Sequence, residues 1–141
     1  MAINPNILLP SKINHASGAS SHNKNVITIP DYRAKSRNRT VTAHWRTYQK
    51  YRDEIADLIQ AYAKNREDIS FATVIIEAYY KGKRSIDTSN LDDKMIVDGL
   101  MKVGILKNDT ALENPEVIKR VYPSSGHDSL VISIIKNKLR L

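Results

Sequence analysis

The sequence predicts an α+β domain, a small single domain with a mixed β-sheet packed by two main helices. Three observations predict it. Two segments carry apolar residues every three or four positions, the period of a helix. Others carry β-branched or alternating apolar residues at the period of a strand. The two kinds interleave in the order β-β-α-β-α-β-β, which fits neither a pure bundle nor a regular βαβ array. At 141 residues, 41% hydrophobic and 26% charged, the chain is large enough for one core and ordinary for a globular domain. It reads as one unit over 1–141.

Each element has its own justification. Ile7, Leu8 and Leu9 before Pro10 form a short strand signal, and 17–25 reads as a loop. A weak strand follows over 26–29, stopped by Pro30. Thr42 is the expected N-cap of a helix reaching about residue 65. Trp45, Tyr48, Ile55, Leu58, Ile59 and Tyr62 form its apolar stripe, with Tyr51 at the edge. The segment 71–80 is the clearest strand. Ala72, Val74, Ile76, Ala78 and Tyr80 alternate with a second set that is also largely apolar, so both faces should be covered. Lys81-Gly82-Lys83-Arg84 then turns the chain. Ser89-Asn90-Leu91-Asp92 has the form of a capping box with Asp replacing Glu, opening a helix over 90–102 that stops at Gly104. Strands over 116–122, where Val117 and Val121 flank charged Lys119, and over 130–135 complete the set. Pro123-Ser124-Ser125-Gly126 reads as the hairpin loop between them.

Composition excludes several classes. The chain has no cysteine, which removes disulfides and thiolate zinc sites. No run approaches the roughly 18 apolar residues of a membrane span, and the first ten residues lack the basic region of a secretion signal. A cytoplasmic protein without membrane contact is expected. The formal net charge is +7. Over 24–52 the chain carries Lys24, Arg33, Lys35, Arg37, Arg39, Arg46, Lys50 and Arg52 against Asp31 alone. Such a block suits nucleic acid or another polyanion, although a solvated basic face reads the same way. The alternation of Arg33, Lys35, Arg37 and Arg39 among few apolar residues predicts a flexible basic loop around 31–40, ordering on phosphate.

Inside this basic chain lies an acidic cluster: Asp87, Asp92, Asp93, Asp98 and Asp109. Basic surface for a polyanion together with carboxylates for Mg²⁺ is the combination that phosphodiester chemistry needs. Plainer readings stand beside it. Asp92 and Asp93 in a first turn favour the helix dipole. Lys94 and Asp98 are spaced as a surface ion pair, and Asn108-Asp109 as a turn. The histidines His15, His22, His44 and His127 have no ligand spacing. Trp45 and the tyrosines at helical spacing read as core rather than as platforms for bases, with Tyr32 and Tyr48 kept as lesser candidates for DNA contact.

The run Asp87-Thr88-Ser89-Asn90-Leu91, then Lys94, Val97-Asp98-Gly99-Leu100 and Gly104-Ile105-Leu106-Lys107-Asn108-Asp109, resembles the RusA family of Holliday junction resolvases of phages and prophages. Leu9-Pro10-Ser11-Lys12-Ile13-Asn14-His15 is similar to the family's opening. The likeness spans most of the chain, and its specific part is the central acidic stretch.

The resemblance implies a RusA-like fold, a symmetric homodimer and a Mg²⁺-dependent endonuclease, with Mn²⁺ as a possible substitute. Its substrate would be branched DNA, cut by paired nicks in opposing strands during recombination and repair. By position, Asp87 and Asp109 match catalytic, metal-holding aspartates, Asn90 the motif asparagine, and Lys94 a catalytic lysine. Arg33, Lys35, Arg37, Arg39, Lys81, Lys83 and Arg84 are the expected phosphate contacts. Three positions depart from the family pattern. Ser89 stands where the family has its second aspartate, with Asp92 or Asp93 as the substitute metal ligand. Lys94 lies one residue late, about 100° around a helix. Asn108-Asp109 replaces a pair of aspartates. The departures leave two alternatives open, a catalytically degenerate module that binds branched DNA and a basic phage structural protein.

Overall fold

The computed structural model describes residues 24–41, 44–64, 69, 72–82, 87–107 and 115–137. Strands β1 (Lys24–Pro30), β2 (Ala72–Lys81), β3 (Glu116–Ser124) and β4 (Ser129–Lys136) form one four-stranded sheet. Its spatial order is β1-β4-β2-β3. β4 runs antiparallel to both of its neighbours, and β2 runs parallel to β3. The sheet is therefore mixed. Helices α1 (Arg37–Val41), α2 (Trp45–Tyr62) and α3 (Asp93–Lys102) complete the α+β fold, with a 3₁₀ turn at Thr88–Asn90. Among the described residues no helix is long and apolar enough to cross a membrane.

One face of the sheet carries the core. Side by side across the strands lie Ile27, Ile132 and Ile76, and next to them Ile29, Leu130 and Ala78, all fully buried. Ile55 and Ile59 of α2 and Met95, Ile96 and Leu100 of α3 close over them in one cluster. Each such side chain contributes roughly 1.5–3 kcal/mol relative to exposure. α2 and α3 approach closely at Gly99, where a Cβ would lie 3.1 Å from Ile55 Cγ2. Gly104, at φ +81°, ends the α3 segment in the left-handed conformation expected of a stop glycine.

Several expectations change. The segments β3 and β4 do not form a hairpin, because β2 lies between them and pairs with both. Pro123 and Ser124 belong to β3, and the link that follows passes over the end of β2. Neighbours in sequence usually pair in space. Here the strand with two apolar faces takes the centre instead. α2 starts at Trp45, with His44 as its N-cap: His44 Nδ1 accepts from the Arg46 amide at 3.2 Å. Ser89 does not cap α3. The chain makes a 3₁₀ turn first, and Asp92 is the cap. Trp45, expected in the core, is 59% exposed. The strand signal at 7–9, the Thr42 cap and residues Lys83, Arg84 and Asp109 lie outside the described residues.

Candidate nucleic-acid interface

The acidic motif divides at Leu91. Before it, the 3₁₀ turn is closed by backbone bonds, Asn90 N to Asp87 O at 2.8 Å and Leu91 N to Thr88 O at 3.2 Å. The Asp87 carboxylate takes no part in capping this turn. Asp87 and Ser89 are exposed and Asn90 is half-buried. Among the described residues the Asp87 side chain has no hydrogen-bond or ion-pair partner.

From Leu91 onward the motif turns inward. Leu91 is fully buried. Asp92 is 5% exposed, and its Oδ1 accepts from the Met95 amide at 3.2 Å. That bond satisfies one of the orphan amides of the first helical turn. Lys119 of β3 reaches across to the Leu91 carbonyl at 3.2 Å and to Asp93 Oδ1 at 3.3 Å. Lys94 points outward and pairs with Asp98 at 3.4 Å. Asp98 also accepts from the Tyr48 hydroxyl at 2.8 Å. Burial, and then this bond to a carboxylate, push the Tyr48 hydroxyl well above the ordinary phenol range.

The basic segment is built onto this motif. Residues 32–36 run extended, with Tyr32 and Ala34 buried, and 37–41 form one turn of helix. The predicted loop is thus anchored by apolar side chains that its charge pattern hides. The Lys35 carbonyl accepts from the Asp92 amide at 3.1 Å, and Ser36 forms an antiparallel bridge with Leu91. Two stretches far apart in sequence therefore share one end of the fold.

The cations there are held in place by aromatic rings and carboxylates. Arg33 lies 4.8 Å from the Tyr80 ring centre and donates to Asp128 at 2.9 Å. Asp128 in turn accepts from the Lys81 amide at 2.8 Å, which ties the β3–β4 link to the end of β2. Tyr80 donates to the Ala34 carbonyl at 3.0 Å. Burial pushes its hydroxyl up to about 12, with the Arg33 charge pulling the other way. Lys35 Nζ sits between the rings of Tyr32 and Tyr51, at 5.2 and 5.1 Å, and 3.5 Å from Glu54. Arg39 Nε donates to the Tyr51 hydroxyl at 3.2 Å. Among the described residues no carboxylate pairs with Arg37 or Arg39. Arg33, Ala34, Lys35, Ser36, Arg39 and Tyr80 line a cavity of about 170 Å³.

This arrangement suits a polyanion. Ring faces and hydroxyls fix cationic side chains that would otherwise lose rotamer freedom on binding, so less entropy is lost when phosphate arrives. Of the expected contacts, Arg33, Lys35 and Arg39 converge on the cavity. Arg37 and Lys81 are exposed. Tyr51, Tyr80 and Asp128 are supporting residues that the sequence did not single out as part of a site. Tyr51 lay at the edge of its helical stripe, and His127-Asp128 read as surface of a hairpin loop rather than as catalytic, so neither pointed to the supporting role that the structure gives it.

For a divalent metal, Asp87 offers an exposed oxygen ligand, as Mg²⁺ requires. Asp92 and Asp93, expected as substitutes for the missing aspartate, each have an oxygen engaged, in the helix cap and with Lys119. No three His, Asp or Glu side chains among the described residues come together as a metal-holding group. In comparisons with known proteins, no family model matches the chain, and no curated protein matches it significantly.

Proposed function

We propose that this chain acts on branched DNA as a Mg²⁺-dependent, homodimeric endonuclease that nicks four-way junctions in paired strands. One observation carries the reading: the backbone of the basic segment is hydrogen-bonded to the acidic motif, the Asp92 amide to the Lys35 carbonyl, and the same motif carries Asp87, whose carboxylate has no partner among the described residues. Cations suited to phosphate and a carboxylate suited to a phosphate-activating metal thereby belong to two segments joined by a backbone bond. A net charge of +7 draws the DNA in, and the contacts from Arg33, Lys35, Arg37 and Arg39 position it without reading its sequence. Asp87, joined by Asp109, would hold the ion, and Asn90 would orient Asp87 or a water molecule. The ion, when bound, supplies Lewis acidity at the scissile phosphate. Lys94 and the partly outward Asp98 form the rim of the same end. A two-fold dimer presents two equivalent sites to two equivalent strands.

A second reading is a degenerate member that binds branched DNA without cutting it. Ser89 in place of an aspartate, together with the engagement of Asp92 and Asp93, favours it. Cleavage of a labelled synthetic four-way junction separates the two, with linear duplex as control, in Mg²⁺, Mn²⁺ and chelator. The enzyme gives paired symmetric nicks in metal, and Asp87→Asn abolishes them while keeping or tightening binding, because a negative charge near phosphate is gone. Cutting at an undiminished rate by that variant would refute the site. Tight, selective junction binding without nicks in either metal would leave the binding module.

A further inference from the structure

We infer that Trp45 is a stacking platform for an unpaired nucleobase, which makes an opened, unstacked base part of what this chain recognises. The inference rests on the branched-DNA reading and adds to it a contact with a base rather than with phosphate. Trp45 is the only tryptophan of the chain and is 59% exposed, the most exposed of its large apolar side chains among the described residues. Its stripe neighbours Tyr48, Ile55, Leu58 and Ile59 pack in or against the core, whereas the indole of Trp45 stands out from it. Covering an exposed indole with another ring recovers apolar burial and ring–ring attraction that solvent does not offer.

Its surroundings select the occupant. The Arg46 guanidinium lies 5.8 Å from the indole centre and the His44 ring 6.2 Å away, tilted by 32°. Arg46 makes the patch cationic and the His44 ring adds to its aromatic character, so it complements a flat ring attached to a phosphate chain. Contacts on the same helix relate Trp45 to the basic segment. Tyr48, one turn after Trp45, bonds Asp98, and Tyr51 takes the Arg39 guanidinium. The first half of α2, which Trp45 opens, therefore faces both α3 and the phosphate-gripping cations. Bases within continuous duplex keep both faces stacked on neighbours, whereas bases at a branch point or in a single strand have a face to offer.

The lone tryptophan is its own probe. Titrating the full-length chain with a synthetic four-way junction, a matched duplex and a single strand, in chelator, should quench Trp45 emission with the junction and the single strand and much less with duplex. Trp45→Ala should weaken junction binding on the order of tenfold, as expected for one lost base stack. Trp45→Phe should restore most of that loss, and neither change should alter the salt slope, because no phosphate contact is removed. Junction binding with unchanged emission, or an equal loss for Phe and Ala, overturns the inference and leaves the junction reading intact. A change of emission with protein concentration alone, without DNA, overturns it in favour of a second copy of the chain on this patch. Absence of DNA binding overturns both. Quenching without cleavage in metal upholds the stacking site and counts against the nuclease alone.

Discussion

Asp87 and Asp92 lie five positions apart in one acidic motif, and the fold treats them in opposite ways. Asp87 stands on a 3₁₀ turn with its carboxylate exposed and without a partner among the described residues. Asp92 is buried, capping α3 beside a fully buried Leu91. The difference comes from Leu91. With that one side chain in the core, Asp92 just after it is buried and Asp87 to Ser89 before it face water. An acidic cluster read from sequence is therefore two things, an anchor and an available ligand. Residue type does not separate them. Position relative to the nearest buried leucine does.

Substitutions can break this comparison, beginning with the anchor. Leu91→Ala should cost the most, about 3 kcal/mol, because it empties a closed site that holds both α3 and the Ser36 bridge. Urea unfolding measures it, and a loss below about 1 kcal/mol would mean that Leu91 does not divide the motif. Asp92→Ala should cost about 1–2 kcal/mol through the lost cap, with Asp92→Asn recovering most of it, since asparagine caps as well. Asp87→Ala should leave stability within about 0.5 kcal/mol of the parent chain while removing cleavage. If Asp87→Ala destabilises as much as Asp92→Ala in the same experiment, the two carboxylates are not the contrasting pair described.

The strands were legible because their side chains alternate, and burial followed: Val74, Ile76, Ala78 and Tyr80 are all covered where alternation put them. Pairing was less legible. Alternation says which face is apolar and says nothing about which strand lies beside which, so β3 and β4 read as a hairpin although β2 separates them. The α3 cap was placed on Ser89 because its capping-box pattern is strong. The chain uses Asp92 because the 3₁₀ turn delays the helix. Trp45 failed differently. Helical periodicity fixes a direction around the axis, and only tertiary structure fixes how far along that axis there is something to pack against. The candidate site was legible in its charges and illegible in its supports. The Asp128 bridge and the ring of Tyr51 act through partners far away in sequence.

The strand order has a further consequence, for synthesis on the ribosome. β4 lies between β1 and β2, yet it is the last of the four strands to be made. A nascent chain that has emerged only as far as residue 128 can pair β2 with β3. Among the described residues it leaves β1 with no neighbour, because every ladder partner of β1 there lies between Ser129 and Ile135. The edges of β1 and β2 that β4 will pair stay open for that interval, and a single late strand then closes both at once. Folding of the sheet is thereby gated by the arrival of its C-terminal strand. Until then the strand that leads into the basic segment has no place in the sheet.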